Sequence, residues 1–255
     1  MTYRKQILLY SIITFVFCVG SISLCRANVA DSIDIKFRIG YSIGGTAPLD
    51  MPSSIRSIDA FRPTFSVMLG ANATMALNKS FGLSVGMHFE NKGMDAEITV
   101  KSYHMEMKKG VQEISGLFSG HVKQEVSAWM LTLPLQTIYR IGENVTLKAG
   151  PYFSLLISKD FSGIAFDGYL RQGNPTGPKI EIGSVEGEWA TYDFSDQMRT
   201  LQWGVSLGID WIILNRVGLS ADINWGLSGL FNSGFKTVEQ TLYPIYGNIG
   251  IFFKL

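Results

Sequence analysis

The stretch VGLSADINWGLSG, residues 217–229, puts Val217, Leu219, Ala221, Ile223, Trp225 and Leu227 on one parity. Gly218, Ser220, Asp222, Asn224, Gly226 and Ser228 occupy the other. A period of two is that of a β-strand whose faces meet different surroundings. The polar parity is mostly Gly, Ser and Asn with one acid, and it lacks the Lys and Glu usual on an open aqueous surface. Which parity points inward is decided by the rest of the chain.

Eight segments carry the same alternation: 34–45, 61–77, 81–94, 122–140, 145–159, 199–214, 217–230 and 242–255. In each, the odd-numbered residues are the apolar set. Ile35, Phe37, Ile39, Tyr41 and Ile43 stand against Lys36, Arg38, Gly40, Ser42 and Gly44; Leu201, Trp203, Val205, Leu207, Ile209 and Trp211 stand against Gln202, Gly204, Ser206, Gly208 and Asp210. No stretch of helical period competes. The connectors alternate as well. Those around 78–80, 141–144 and 215–216 are short, whereas 46–60, 95–121, 160–198 and 231–241 are long and polar. Short turns at one end and long loops at the other predict an eight-stranded antiparallel transmembrane β-barrel of up-and-down order, with periplasmic turns and extracellular loops. FDGYLR and KIEIGSV, flanking QGNPTGP, predict a hairpin within 160–198.

The aromatic spacing agrees. On the apolar parity Phe81 and Phe89 are eight positions apart, as are Trp203 and Trp211, and Trp129 and Tyr139 are ten apart. Eight residues at about 3.3 Å, tilted by about 40°, cover roughly 20 Å along the membrane normal, close to the ~25 Å apolar band between aromatic girdles. Phe81, Phe89, Trp129, Tyr139, Trp203, Trp211 and Trp225 are therefore expected to face lipid as girdle residues, and Asp222 the lumen.

Composition fits. The chain has 255 residues, net charge +1, 46% hydrophobic and 17% charged residues and 27 glycines, with a mean hydropathy of +0.17. Near-neutral charge argues against a nucleic-acid partner, and beyond the N-terminus no run approaches the ~20 apolar residues of a spanning helix. At the N-terminus, Arg4 and Lys5 precede the apolar run 7–20, and Ala27 offers a small residue for cleavage, with Ala30 the second choice. Residues 1–27 are expected to be a removed signal peptide and 28–255 the barrel. Both cysteines, Cys18 and Cys25, fall in the removed segment, which excludes a disulfide framework from the mature chain.

The segment 127–157, with Leu133-Pro134-Leu135 before a short turn and Ala149-Gly150-Pro151-Tyr152 after it, resembles the strand pair of the PorT-like small outer-membrane β-barrels of the Bacteroidetes. Asn91-Lys92-Gly93, WGVSLGIDW (203–211) and the closing YGNIGIFFKL (246–255) extend the resemblance over the mature chain. It implies the barrel fold and, through the PorT branch, an accessory role in protein secretion. Leu255 departs from the terminal Phe common in such barrels, with Phe253 two positions earlier on the same parity.

Ser84, His88 and Glu90 share the inward parity, and Ser, His and Glu are the types needed for acyl transfer. A lumen hydrogen-bond network accounts for them without an oxyanion hole. His104 and His121 fall in a long loop and are expected to face water. No metal spacing, phosphate loop or dinucleotide fingerprint is present, so no cofactor is expected. Lys36, Arg38, His88, Glu90, Lys92, Lys148, Asp210 and Asp222 all point inward by parity. A barrel of eight strands is filled by side chains, so these charges should pair, in a network centred on Arg38 with Asp210, Asp222 and Glu90, and with Lys36 and Lys148 nearer its edges. The expected role is a non-enzymatic outer-membrane protein, structural or binding through its loops. Its expected partners are outer-membrane lipid and lipopolysaccharide, and envelope or secretion proteins. A lipid-modifying hydrolase or acyltransferase, or a narrow channel, is the alternative.

Overall fold

A computed structural model describes residues 33–255 apart from 50, 236 and 239; the expected signal peptide lies outside the described residues. Eleven strands form one sheet. Eight of them close a ring: β1 (Ile33–Pro48), β3 (Val67–Ala76), β4 (Phe81–Lys109), β5 (Gln112–Ile141), β6 (Val145–Gln172), β9 (Leu201–Leu214), β10 (Val217–Gly226) and β11 (Leu242–Lys254). Each of these pairs with the next, and β11 returns antiparallel to β1, with Tyr41 opposite Ile249 and Phe37 opposite Phe253. Closure removes the sheet edges that lipid could not satisfy.

Burial in this ring is inverted relative to a water-soluble protein. Ser42, Asn72, Thr74, Gln136, Ser154, Ser206 and Asn248 are buried in the lumen, while Leu83, Leu135, Leu207, Ile223 and Ile251 are exposed on the outer wall. The expected girdle residues all lie on that outer wall, at two levels. Phe81 packs on Tyr139 (ring centroids 5.0 Å) beside the short turns, with Trp211 at the same end. At the loop end Phe89 stacks on Trp129 (5.1 Å), and Trp203 and Trp225 stand on β9 and β10.

Two expectations need correction. The stretches 95–121 and 160–198 are not mainly loop. β4, β5 and β6 run for 29, 30 and 28 residues, roughly three times the 9–11 residues that cross a bilayer. They project beyond the loop-end girdle, and β4 and β5 stay paired to a tight turn at Gly110 and Val111. Bulges conceal this in the sequence. Between Val100 and Tyr103 the register shifts at Ser102, which has φ 53°, and the inward set changes from even (Lys92, Met94, Val100) to odd (Tyr103, Met105, Met107). β6 changes parity likewise between Leu156 and Phe161. The expected segment 61–77 is also divided. Pro63 ends a separate strand, β2 (Ile55–Pro63), which among the described residues pairs only with β4, and β3 begins at Val67.

The projecting sheet encloses an apolar core of its own, built on Met94, Val100, Phe118, Val122, Phe161 and Leu170. Two short strands, β7 (Lys179–Ile182) and β8 (Ala190–Asp193), close its side; β7 pairs with β6 as the hairpin expected within 160–198, and β8 joins β6 to β4. Rings of Phe161, Phe194, Phe231 and Phe235 pack over it, with centroids 4.8–6.3 Å apart.

Candidate functional site

Five charged side chains meet in the lumen near the turn end. β1 contributes Lys36 and Arg38, β6 Lys148, β9 Asp210 and β10 Asp222. Arg38 donates from Nη1 to Asp210 Oδ1 (3.0 Å) and from Nη2 to Asp210 Oδ2 (2.5 Å), the bidentate fork that a planar guanidinium offers a carboxylate. Lys36 reaches the same carboxylate at 2.9 Å. Lys148 lies 2.7 Å from Asp210 and 2.7 Å from Asp222, whereas Arg38 is 4.0 Å from Asp222. Asp210 is thus the hub and Lys148 the bridge, rather than an edge residue. Gly208 makes room for this: a Cβ there would collide with the Asp222 carboxylate.

Glu90 was expected in the Arg38 network and instead belongs to a second cluster nearer the loop end. Its carboxylate takes Lys92 at 2.9 Å and the Thr132 hydroxyl at 2.6 Å. The first cluster holds three cations (Lys36, Arg38, Lys148) against two acids (Asp210, Asp222), and aromatic faces share the surplus charge. Lys36 Nζ is 4.7 Å and Arg38 Cζ 5.6 Å from the Phe252 ring centre; in the second cluster Lys92 likewise stands 5.4 Å from Tyr246 and 5.8 Å from Tyr152. These inward rings were not singled out from the sequence. Phe252 carries the even parity within YGNIGIFFKL, so parity alone could have placed it beside Arg38.

The Ser, His and Glu types of acyl transfer are not assembled. His88 Nε2 pairs with Asn72 Oδ1 at 2.9 Å, Ser84 with the Thr74 hydroxyl at 3.3 Å, and Glu90 with Lys92 and Thr132. His121 faces the Thr99 hydroxyl at 3.1 Å. Among the described residues, no group of three or more His, Cys, Asp or Glu could hold a metal ion.

A second feature lies at the loop end. A cavity of about 260 Å³ runs in from the outer wall between the end of β1 and β2. Its outer lining, including Met51, Ile58, Phe61 and Ile245, is exposed, and its inner lining, including Met94, Val100, Met105 and Phe161, is buried. The two strands flanking its mouth are not laddered to each other among the described residues, where β2 pairs only with β4. Thr46 N–H, on β1, is turned to Met94 Sδ at 3.2 Å.

The family described as outer membrane protein beta-barrel domain matches residues 27–232. Among solved structures the chain is similar to Ail of Yersinia pestis, crystallised with the heparin analogue sucrose octasulfate (TM-score 0.38, 9% identity, covering 88% of this chain and 99% of that one). It is similar also to OprG of Pseudomonas aeruginosa (0.37, 13%, 88% and 96%) and to the outer membrane protease OmpT of Escherichia coli (0.36, 10%, 91% and 99%). No curated protein matches it in sequence.

Proposed function

The chain belongs to the outer membrane protein beta-barrel domain family, and from that premise we propose a non-enzymatic outer-membrane barrel that acts by binding at its loop end, within the PorT-like branch. The observation that carries this is the division of the molecule into two parts. The lumen is stoppered by paired charges whose side chains at Arg38, Lys148 and Asp210 are only 2–3% exposed. Above it, strands three times the length needed for crossing build a folded extension with its own core and cavity. A stopper argues against conduction, and the separate pairing of Ser84, His88 and Glu90 argues against acyl transfer. The extension is then the part left to meet partners, which for this branch include envelope and secretion proteins.

The test uses the mature chain folded in outer-membrane lipid. It should fractionate with the outer membrane, shift in mobility when heated in SDS, give no steady conductance in planar bilayers and release no fatty acid from phospholipid or lipopolysaccharide. Acyl release abolished by Ser84→Ala would overturn the proposal in favour of a hydrolase, and a conductance raised by Lys148→Ala would overturn it in favour of a channel.

A further inference from the structure

We infer that the cavity between β1 and β2 is a binding site for a single unbranched hydrocarbon chain with an uncharged, hydrogen-donating end, entered sideways at the level of the loop-end aromatic girdle. The inference rests on the proposed loop-end binding role and names the ligand class.

Position comes first. Ile245, on the rim, is paired in register with both Gly45 and Trp225, so the lower edge of the mouth stands at the level of the girdle that marks the membrane interface. Among the described residues β1 beyond Gly44 and β2 have no ladder between them, so the wall parts here without breaking a backbone hydrogen bond. Gly45 keeps the gap open: a Cβ at that position would come within 2.6 Å of Met94 Sδ and 2.8 Å of the Phe61 ring.

Chemistry comes second. The lining is mostly Ile, Val, Met, Leu and aromatic, with His104, Gln124 and Gln240 among its polar members and no Lys, Arg, Asp or Glu among the described residues. Among the described lining residues a carboxylate or phosphate would find no lysine or arginine to pair with, and its burial there would carry a desolvation cost. Two of the lining residues, Met94 and Met105, bring unbranched thioether side chains that adapt to a flexible chain. Size follows from volume: a dry cavity of ~150 Å³ holds a benzene ring, so 260 Å³ corresponds to about ten carbons. In the cavity lining Gln240 donates from Nε2 to the Tyr103 hydroxyl (3.0 Å), while its buried Oε1 accepts no hydrogen bond among the described residues. That carbonyl oxygen is placed to accept from a ligand hydroxyl or amide.

The full mature chain in nanodiscs would be irradiated with a diazirine-bearing 1-decanol, and separately with a phosphatidylcholine carrying the diazirine on one acyl chain. Labelled peptides would be mapped by mass spectrometry. Adducts should concentrate on β2 and on residues 94–105 of β4, fall about tenfold in Ala96→Phe, and be displaced by 1-decanol better than by decanoate at neutral pH. Gln240→Leu should erase that preference for the alcohol while retaining labelling. Labelling by the alcohol, with or without labelling by the lipid, supports the site, whereas labelling by the lipid alone would overturn it, because phosphatidylcholine offers no hydrogen-donating end. Adducts spread evenly around the girdle, or undiminished by Ala96→Phe in a barrel that still shows its heat-dependent mobility shift, would overturn it. Loss of that shift in the unmodified protein would instead count against the barrel reading itself.

Discussion

Asp222 is held more closely by Lys148 than by Arg38: the carboxylate lies 2.7 Å from the ammonium and 4.0 Å from the guanidinium. Asp210, by contrast, is contacted by three cations. The two acids should therefore respond differently to loss of a partner. Lys148→Met takes away the near cation of Asp222 in a lumen where that acid is 11% exposed, and should destabilise the barrel by about 3–5 kcal/mol. Lys36→Met leaves Asp210 with Arg38 and Lys148, and should cost clearly less. Adding Asp222→Asn to Lys148→Met should recover part of the loss. Urea unfolding in lipid measures all three, and equal costs for the two lysines would contradict the bridging role.

The strand alternation that reveals the ring also conveys which charges meet, but not their exact partners. Odd-out, even-in parity places Arg38, Lys148, Asp210 and Asp222 in the lumen, because one face must meet lipid. It says nothing about height, and height is what separates Glu90 from Arg38. β3 and β4 pair at Met68 and Glu90, toward the loop end, while Asp210 pairs with Thr146 and Ser220 near the turns. The loop-end extension was hidden for a different reason. Its strands change parity at bulges, and above the membrane the outer face is free to be polar, so the alternation that marks the lower strands dissolves into what resembles a loop.

Depth on the lipid face gives a second prediction. Leu207 stands midway between Trp203 and Trp211 and is 61% exposed on the outer wall. Leu207→Arg should cost about 2–4 kcal/mol and impair assembly, whereas Trp225→Arg, in the girdle, should cost about 0–1. Ile209, two residues from Trp211, should fall between them. Folded yield and unfolding in lipid vesicles read the series, and equal tolerance at Leu207 and Trp225 would contradict the assigned outer face.

The bulge at Ser102 supplies a third. A serine at φ 53° sits in left-handed backbone, which glycine adopts without strain. Its amide donates to Ser119 Oγ at 2.9 Å, so the distortion is anchored across the hairpin. Ser102→Gly should be neutral or stabilising by up to about 1 kcal/mol, and Ser102→Val should lose about 1–3 kcal/mol. The loss should appear as faster amide exchange in residues 95–121, with the lower ring unaffected.

A fourth concerns pH at the loop end. Asp59 on β2 accepts hydrogen bonds from the Thr99 hydroxyl on β4 (2.6 Å) and from Ser57 (2.7 Å), with His121 Nδ1 of β5 at 3.7 Å. The Thr99 bond first, then the Ser57 bond, holds the carboxyl below its ordinary range. Because the folded value lies below the unfolded one, the contribution is present above the ordinary carboxylate range and is lost as pH falls through the depressed folded value. The protection of β2 amides, taken relative to the intrinsic exchange rate at each pH, should therefore be constant from neutrality down to that range and should fall only below it. Thr99→Val should move the carboxyl resonance of Asp59 to titrate at higher pH; an unchanged titration would remove Thr99 as the cause.

The last prediction decides between a lumen network and a catalytic one. In this register His88 lies opposite Gly70, and its ring occupies the space a Cβ there would need. Its Nε2 is held by Asn72 Oδ1, which is an acceptor, so that nitrogen carries its proton and donates. A histidine in that state cannot take a proton from Ser84 through Nε2, and Ser84 Oγ is engaged as the acceptor of the Thr74 hydroxyl. His88→Gln keeps a donor near Asn72 and should preserve the heat-dependent mobility shift, with a stability change within about 1 kcal/mol. Gly70→Val should instead drive the ring from its place and impair folding. Should His88→Gln leave the barrel folded yet abolish a measured release of acyl chains from lipid, the network assignment would fail and Asn72 would become the residue that orients a catalytic imidazole.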